Sequence, residues 1–387
     1  MSRCSNVFRR KNRGERKERR ATFFSAIFAF SAVFSVLAGA RASAQELPQF
    51  AQFSLESVVA ADALAGENVS NMPQIVVDLS FSVRVGDHWQ AYIRPWFRLP
   101  RPTTPTGAVP PWDKQLYQAA MRYERRGPVA IRLDVGQILS PIGLGIYDVR
   151  PGLNPLILPH VSYLQPMPVF DPTGPRVSAV SASYPLGGQL SVSTTRWDAR
   201  TAVINSAPTR IYAIGAATNP RQTPVVVAGA GVTPTVGLRL GISAAHGLYA
   251  TPDEITVPTP DGRAMTMVGG EGEWAFGGTK VAGEILRTDF AESSGTSVAY
   301  EWFLQGQHTL SPRWFVAARR EGTSAPPLIS GVATGVRTEF AAFEATAGFR
   351  LNRDVTLRSG YYAKRAYGTT DWLNQAAFSV VWSQRWW

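Results

Sequence analysis

The sequence predicts an all-β fold, a transmembrane antiparallel up-and-down β-barrel of about sixteen strands. Three observations predict it. Apolar and polar residues alternate along much of the chain, short and long connections alternate between these segments, and aromatic residues flank the short connections. Outer-membrane barrels combine these features because alternate side chains face lipid and water, and because their turns are short on one side only. The predicted barrel covers residues 45–387.

Alternation is clearest in the second predicted strand, residues 75–85. Every second residue there is apolar, and polar residues such as Asp78 and Arg84 occupy positions between them. A period of two indicates an extended strand with one apolar and one polar face. The pattern recurs over residues 89–99, and the first strand is predicted at 53–62. About sixteen such strands would leave an aqueous channel rather than a packed interior.

The connections fall into two alternating classes. Short connections are rich in Gly, Pro, Asn and Asp, which close hairpins. Their strict alternation with long ones predicts short periplasmic turns, long external loops and both termini on the periplasmic side. The short turns are predicted at 86–88, 126–128, 185–188, 233–235, 276–279, 310–313 and 352–354, and the long connections at about 63–74, 100–113, 138–175, 199–222, 247–263, 288–296, 322–336 and 366–371.

Aromatic residues lie beside these turns. Trp89 and Trp314 follow short turns directly, and Tyr123, Tyr184 and Trp274 precede them. They predict an aromatic belt at the periplasmic interface. The alternative is that aromatic residues favour strands anyway.

The last predicted strand, residues 374–387, ends the chain in aromatic residues. Its terminal Trp387 is one residue out of register with the apolar face. Bacterial barrels commonly end in such a strand, so we expect the barrel-assembly machinery to be a partner. The apolar face holds Phe378, Val380, Trp382 and Trp386.

Residues 1–44 are predicted to be a signal peptide. A basic run over 3–20 precedes an uncharged apolar stretch over 21–40 and the small residues Ala42-Ser43-Ala44. An uncleaved anchor is the alternative, because the apolar stretch is long enough to span a bilayer. Cleavage near Ala44 would direct the mature chain to the outer membrane of a Gram-negative-type bacterium.

The charge of the predicted mature chain is nearly balanced. Residues 1–44 hold ten of the 39 basic and two of the 28 acidic residues, which leaves +3 for residues 45–387. A nucleic-acid partner is therefore not expected. Lys114, Lys280 and Lys364 are the lysines after the leader, so its basic groups are mainly arginines, which suit contacts with anions. Cys4 lies in the leader, which excludes disulfides and thiol catalysis in the mature chain.

The third long connection, predicted at 138–175, has an unusual composition. It holds eight prolines and many apolar residues, whereas a solvated surface loop should be polar. We expect it to fold into the barrel and narrow the pore; covering a subunit interface is the alternative. The predicted constriction residues are Pro141, Tyr147, Asp148, Arg150, His160 and Tyr163.

The segment Gly136-Gln137-Ile138-Leu139-Ser140-Pro141-Ile142-Gly143 resembles the G-[RQ]-x-x-x-P-[FI]-G element of phosphate-selective porins. It departs at Leu139, where that family usually has a basic residue. The resemblance implies a sixteen-stranded, trimeric, anion-selective porin with an inward third loop. We therefore expect a homotrimer, surrounded by outer-membrane lipid, that passes small hydrophilic or anionic solutes by passive diffusion. A structural or adhesive barrel without a conducting pore is the alternative function.

Strand parity places basic residues on the polar faces of the second to fifth strands and glutamates on those of the tenth to fourteenth. These strands oppose each other in a sixteen-stranded barrel, which predicts an arginine wall facing a glutamate wall and a path favourable to anions. Local pairing, such as Arg122 with Asp134 or Arg319 with Glu301, is the alternative. The predicted basic lining residues are Arg84, Arg94, Arg98, Arg122, Arg132, Arg239, Arg319, Arg358 and Lys364, and the acidic ones are Glu271, Glu273, Glu284, Glu301 and Glu344.

Catalysis, a metal site and a cofactor are not expected. The histidines lack metal-ligand spacing and are interpreted as lone surface side chains. Ser243 with His246 is the nearest approach to a catalytic pair, and its signal is weak. The four histidines are His88, His160, His246 and His308.

Overall fold

The structure, a computed structural model, describes residues 51–66, 73–101, 110–216, 219–256, 261–293, 295–326 and 338–386. The predicted signal peptide, its cleavage site and the terminal Trp387 lie outside these residues. Within the described residues, no helix is long and apolar enough to cross a membrane.

Within the described residues, sixteen antiparallel strands form a closed barrel in which every strand pairs with its neighbours in sequence and β16 pairs with β1. The predicted fold class and strand number are confirmed. The strands are β1 Ala51–Gly66, β2 Gln74–Val85, β3 Trp89–Leu99, β4 Asp113–Arg125, β5 Ala130–Gln137, β6 Leu186–Ser193, β7 Trp197–Ile204, β8 Val225–Thr235, β9 Leu238–Ala250, β10 Arg263–Phe276, β11 Thr279–Ala291, β12 Thr296–Thr309, β13 Trp314–Ser324, β14 Glu339–Arg350, β15 Val355–Arg365 and β16 Leu373–Arg385.

The two faces of β12 show why the alternating sequence closes into a barrel. Tyr300, Trp302 and Leu304 are exposed on the outer face, whereas Glu301 and Phe303 are buried on the inner one. An outward apolar surface of this kind is stable against lipid, while inward polar groups face the lumen. Pairing between neighbouring strands satisfies the hydrogen-bonding groups of the strand backbone, because the closed sheet has no free edge.

Short and long connections alternate around the barrel as predicted, with two corrections at the turns. Residues 185–188 are not a turn, because β6 begins at Leu186 and the turn follows it at 194–196. Gly187 permits close strand packing instead, since a Cβ there would lie 2.9 Å from the Cα of Ile204 on β7. The turn predicted at 233–235 lies two residues later, at Val236–Gly237.

The third long connection is longer than predicted and covers residues 138–185; we call it L3. Residues 176–184, expected as a strand, are its returning arm. They hydrogen bond to the next long connection, which we call L4 (205–216 and 219–224): Tyr184 N donates to Tyr212 O at 2.8 Å, and Ser181 N donates to Pro208 O at 2.7 Å. L3 also contains a 3-10 helix, Gly145–Val149.

Aromatic side chains form the expected belt beside the short turns. Trp89, Trp274 and Trp314 are each about half exposed on the outer face, and Trp89 packs on Tyr123 with ring centroids 5.2 Å apart. Tyr184 is an exception to the prediction. It is buried in L3 and stacks on Tyr117, because the segment that carries it is part of the returning arm rather than a strand beside a turn.

The last strand presents its apolar face outward. Phe378, Val380 and Trp386 are each about half exposed. Trp386 Nε1 donates a hydrogen bond to Ser57 Oγ at 2.9 Å, which ties the end of the described chain to β1.

The main hydrophobic core lies inside the barrel, where L3 and L4 meet the inner faces of the strands. Ile142, Tyr163 and Phe170 of L3 belong to one buried cluster with Ala213 of L4 and Phe290 of β11. L3 is therefore not a solvated surface loop. Its apolar composition is explained by this burial.

Candidate functional site

Carboxylates on the inner faces of β11–β14 hold the backbone of L3. Leu144 N donates to Glu284 at 2.5 Å, and Ile157 N donates to Glu344 at 2.7 Å. Val161 N donates to Glu321 at 3.1 Å. An irregular segment buried inside a barrel needs acceptors for its N–H groups, and these glutamates supply them.

Glu301 contributes a side-chain contact to the same arrangement. It is fully buried on β12, and its carboxylate accepts a hydrogen bond from Ser162 Oγ at 2.9 Å. Ser162 Oγ also lies 3.0 Å from Glu321. One loop hydroxyl thus lies between two strand carboxylates.

Two buried arginines supply the complementary donors. Arg319 on β13 donates to the carbonyls of Leu158 at 2.9 Å and Pro159 at 2.8 Å. Arg358 on β15 donates to Asn154 O at 2.8 Å and to Leu156 O at 2.5 Å. L3 therefore lies against the inner faces of β11–β15, with both its N–H and its C=O groups bound by charged side chains.

His160 is buried at the centre of this region, so the interpretation of all four histidines as surface side chains is wrong for it. Its Nε2 lies 3.1 Å from Asp148, and its Nδ1 lies 3.5 Å from Glu321. Burial raises the pKa of Asp148, but His160 and Arg319 lower it more, and the pKa lies below its ordinary value.

Tyr163 packs against Gly143, which ends the segment that resembles the porin element, and against Gly145 just after it. Gly143 has φ +93°, and a Cβ at Gly145 would lie 2.7 Å from the Tyr163 ring. The tyrosine hydroxyl donates to Glu284. Burial, together with the charge of Glu284, raises the pKa of Tyr163 well above its ordinary value. Two glycines thus allow a fully buried ring to connect L3 with β11.

The basic residues predicted on β2 and β3 form local ion pairs. Arg94 donates two hydrogen bonds to Asp78, at 2.7 and 2.6 Å, and both side chains are buried. Arg98 lies 2.7 Å from Asp113. Arg84 lies 3.9 Å from Glu124.

Arg122 and Arg132 have a different environment, because they share one carboxylate. They lie 2.7 Å and 3.0 Å from Asp134. The Arg132 side chain is 42% exposed and Arg122 26%, whereas Asp134 is 6% exposed. Tyr92 OH also donates to Asp134 at 3.3 Å. Two partly exposed guanidinium groups therefore face the lumen, and the carboxylate that they share is buried behind them.

A second arginine pair lies further round the wall. Arg239 on β9 donates two hydrogen bonds to Asp198, both at 2.8 Å, and a third to Glu271 at 2.6 Å. Arg200 on β7 lies 3.3 Å from Glu271. Between the two pairs, β6 presents neutral Gln189 and Ser191.

Both arginine pairs line one cavity of about 560 Å³. Pro141 and Tyr147 of L3 also line it. The cavity wall is polar and carries charge from β4, β5, β7, β9 and β10. Four carboxylates line it beside the arginine pairs, namely Glu124, Asp134, Asp198 and Glu273. This cavity is the candidate solute path in this structure.

The other predicted lining and constriction residues are placed as follows. Glu273 on β10 lies 2.8 Å from Lys280, and both are partly exposed. Lys364 lies on the inner face of β15, since it shares the parity of Arg358 and Tyr362. Arg150 of L3 lies 3.5 Å from Asp78 on β2.

These positions correct the prediction of an arginine wall that faces a glutamate wall across the pore. Arg122–Asp134 pairing, the alternative interpretation, is present. Arg319 lies 3.5 Å from Glu344 and 3.7 Å from Glu321, and within the described residues its ion-pair partners do not include Glu301. L3 covers the glutamates of β11–β14, because its buried backbone needs those acceptors.

Several functional residues were absent from the predicted set. Arg200 and Asp198 were missed because the long connection predicted at 199–222 placed Arg200 in a loop and ended the seventh strand at Asp198; this bound is wrong, since β7 is Trp197–Ile204. The alternation of Asp198, Arg200 and Ala202 with Trp197 and Val203 could have identified them.

The weak catalytic candidate is not assembled. Ser243 is buried on the inner face of β9, and His246 is exposed on its outer face, where Nδ1 lies 2.9 Å from Thr266 Oγ1. The two side chains therefore lie on opposite sides of the barrel wall.

No family model matches the sequence, and no curated protein matches it. Solved structures do. The outer membrane channel DcaP of Acinetobacter baumannii is 9% identical over 88% of this chain and 99% of its own, with a TM-score of 0.52. The anion-selective porin from Comamonas acidovorans is 10% identical over 87% and 100%, with a TM-score of 0.51.

A loop L8 deletion mutant of OmpT, an outer membrane protein of Vibrio cholerae, is 11% identical over 86% of this chain and 99% of its own, with a TM-score of 0.50. At these identities the likeness establishes the fold. The chain has a porin-type barrel.

Proposed function

We propose that this protein is an outer-membrane porin through which small hydrophilic solutes diffuse passively, with a preference for anions. The observation that carries the proposal is the polar cavity beside L3, where Arg122 and Arg132 stand in front of the retracted Asp134. These two guanidinium groups are more exposed than the carboxylate between them, and the whole described lining holds four arginines and four carboxylates. Arginine-lined paths lower the barrier for anions.

The solute class follows from the neutral strand between the arginine pairs. Gln189 and Ser191 on β6 offer hydrogen bonds to hydroxyl or amide groups, and the flanking guanidinium groups attract negative charge. Small polar anions fit this wall better than apolar solutes. The narrowing of the path by L3 limits solute size.

Planar-bilayer recording tests the proposal. The purified mature chain should give stable open-channel currents, and a KCl gradient should give a reversal potential of the sign expected for chloride selectivity. Cation selectivity would contradict the anion preference, and absence of current in many insertions would contradict the porin function itself.

A structural or adhesive barrel is the second candidate, and one observation favours it. The apolar cluster that L3 and L4 form with the inner strand faces occupies the loop side of the lumen. A barrel filled in this way gains stability without needing a channel. The absence of current, together with a folded barrel by heat-modifiable gel mobility, would support this function instead.

The remaining assignments are also proposals. We propose a homotrimer in outer-membrane lipid, a signal peptide cleaved near Ala44, recognition of β16 by the barrel-assembly machinery, and no enzymatic activity. Support comes from the porin-like element and the basic, apolar and small-residue pattern of residues 1–44. Mass measurement of the detergent-solubilised protein tests the trimer, and N-terminal sequencing of the mature chain tests the cleavage site.

A further inference from the structure

Two arginines on the outer face of the barrel converge on one tryptophan. The guanidinium carbon of Arg320 on β13 lies 4.8 Å from the ring centroid of Trp372, and that of Arg365 on β15 lies 5.7 Å from it. Arg320 points outward, because its neighbours Arg319 and Glu321 are buried on the inner face. The cluster of Arg320, Arg365 and Trp372 is therefore on the lipid-facing side.

The charges of this cluster are not balanced within the described chain. Arg365 lies 3.1 Å from Glu339, and its Nε is buried with no hydrogen-bond partner among the described residues. Among those residues, Arg320 has no carboxylate within ion-pair distance. The sequence between β13 and β14, residues 325–338, contains no acidic residue. One net positive charge thus faces the membrane.

The depth of the cluster identifies which part of the membrane it meets. Arg320 is six residues beyond Trp314, the belt residue that follows a short turn, and Arg365 is ten residues beyond Val355 at the start of β15. At about 3.3 Å per residue and a tilt of about 40°, these positions lie roughly 15 and 25 Å from the turn side. The apolar band of such barrels is about 25 Å tall, so Arg365 lies at its external edge. The Arg320 side chain begins within the band and extends toward Trp372 at that edge.

We propose that Arg320, Arg365 and Trp372 form a binding site for the phosphate of an outer-leaflet lipid headgroup. A guanidinium facing hydrocarbon is costly without an anion, and arginine binds phosphate with paired hydrogen bonds. Trp372 holds both cations at the interface, where an indole is stable. The acyl chains would lie along the apolar outer face, beside Phe343 on β14.

Native mass spectrometry of the detergent-solubilised full protein with added lipid A tests this site. The wild type should retain lipid A, and Arg320→Met should bind it roughly tenfold more weakly, the loss expected for one charge-assisted contact. Arg287→Met is the matched control. Arg287 also faces outward, but it has its own partner, Asp289, at 2.8 Å, so this variant should bind like the wild type.

Further measurements separate the lipid from other partners. Trp372→Leu should weaken lipid A binding less than Arg320→Met, and inorganic phosphate in large excess should not displace the lipid. Equal binding by the wild type and Arg320→Met, or displacement by inorganic phosphate, would overturn the lipid site. Dissociation of an oligomer by Arg320→Met with unchanged lipid binding would instead assign the cluster to a subunit contact. The outcome is independent of channel conductance.

Discussion

The inner wall of the barrel uses the same charged residue types in two different ways. On β11–β15, glutamates and arginines are buried under L3 and bind its backbone. On β4–β9, arginines and carboxylates pair with one another and stay partly exposed beside the cavity. The difference shows that the role of a charged residue on the inner face depends on whether an irregular loop covers it, and not on its position on that face alone.

The largest effect is expected from removing Arg319, which lies on the part of the inner wall that L3 covers. Arg319→Met leaves Asp148, Glu321 and Glu344 without the cation they face and leaves two L3 carbonyls unpaired. We expect the packing of L3 inside the barrel to become less favourable by about 3–5 kcal/mol. Single-channel conductance should rise, and limited proteolysis should cut within L3.

Arg353→Met is the control for this experiment. Arg353 lies in a short turn, and its side chain is 86% exposed, so its loss should change neither conductance nor proteolysis. Unchanged conductance and protease resistance in Arg319→Met would show that L3 is held without the buried charges.

On the exposed wall, the double substitution Arg122→Gln and Arg132→Gln should change ion selectivity rather than folding. It removes two positive charges and leaves Asp134 unbalanced. A unit charge at about 4 Å in water is worth about 1 kcal/mol, so the anion-to-cation permeability ratio should fall roughly tenfold at low salt. The reversal potential in a KCl gradient measures it.

A matched control for selectivity is Arg353→Gln, because Arg353 lies in the short turn before β15 and its side chain is 86% exposed. The difference between the double variant and this control should shrink as salt rises, since screening weakens exposed charges. A permeability ratio that stays at the wild-type value would remove Arg122 and Arg132 from the solute path.

The contrast between regular strands and the irregular loop L3 explains what could be predicted from the sequence. Alternation fixes the face of each strand residue, so the sixteen strands, the inward parity of Arg122 and the outward belt at Trp89 were predictable. Contacts of L3 were not, because an irregular loop has no period that relates His160 to Asp148 or to Glu321. The turn predicted at 185–188 was wrong because a glycine within a strand, here Gly187, also permits close strand packing.

A smaller effect is expected from filling the space behind the second arginine pair. A Cβ at Gly231 on β8 would lie 2.7 Å from Asp198 Oδ1 and 2.8 Å from an Arg239 nitrogen. Gly231→Ala should therefore displace this pair into the cavity, destabilise the barrel by about 1–2 kcal/mol and reduce conductance partially. The urea midpoint of refolding into detergent and the single-channel current measure the two effects.

Gly306→Ala provides the comparison for Gly231→Ala. Gly306 lies in β12, four strands from β8, and a Cβ there would meet no atom within 4 Å. If both variants lower the conductance equally, displacement of Arg239 is not the cause.

The smallest expected effect is that the packing of L3 inside the barrel weakens at acidic pH. The pKa of Asp148 is lower when L3 is seated than in a released loop, because His160 and Arg319 favour its charged form. The released loop therefore takes up this proton first as the pH falls. The stabilisation is complete above about pH 4, the ordinary range of an aspartate, and is lost as the pH falls through the lowered pKa; one pKa unit corresponds to about 1.4 kcal/mol. Cleavage of L3 by pepsin over this range should accelerate in the wild type.

Asp148→Asn separates this carboxylate from the glutamates that titrate nearby. The variant lacks the charge at every pH, so its L3 should be cut faster than that of the wild type at pH 5, and the two rates should converge at the lowest pH. Asp371→Asn, in the exposed connection before β16, should follow the wild type throughout. Equal cleavage of wild type and Asp148→Asn at pH 5 would mean that His160 and Arg319 hold L3 through Glu321 and Glu344 alone, and that the buried wall tolerates the loss of one of its loop-borne charges.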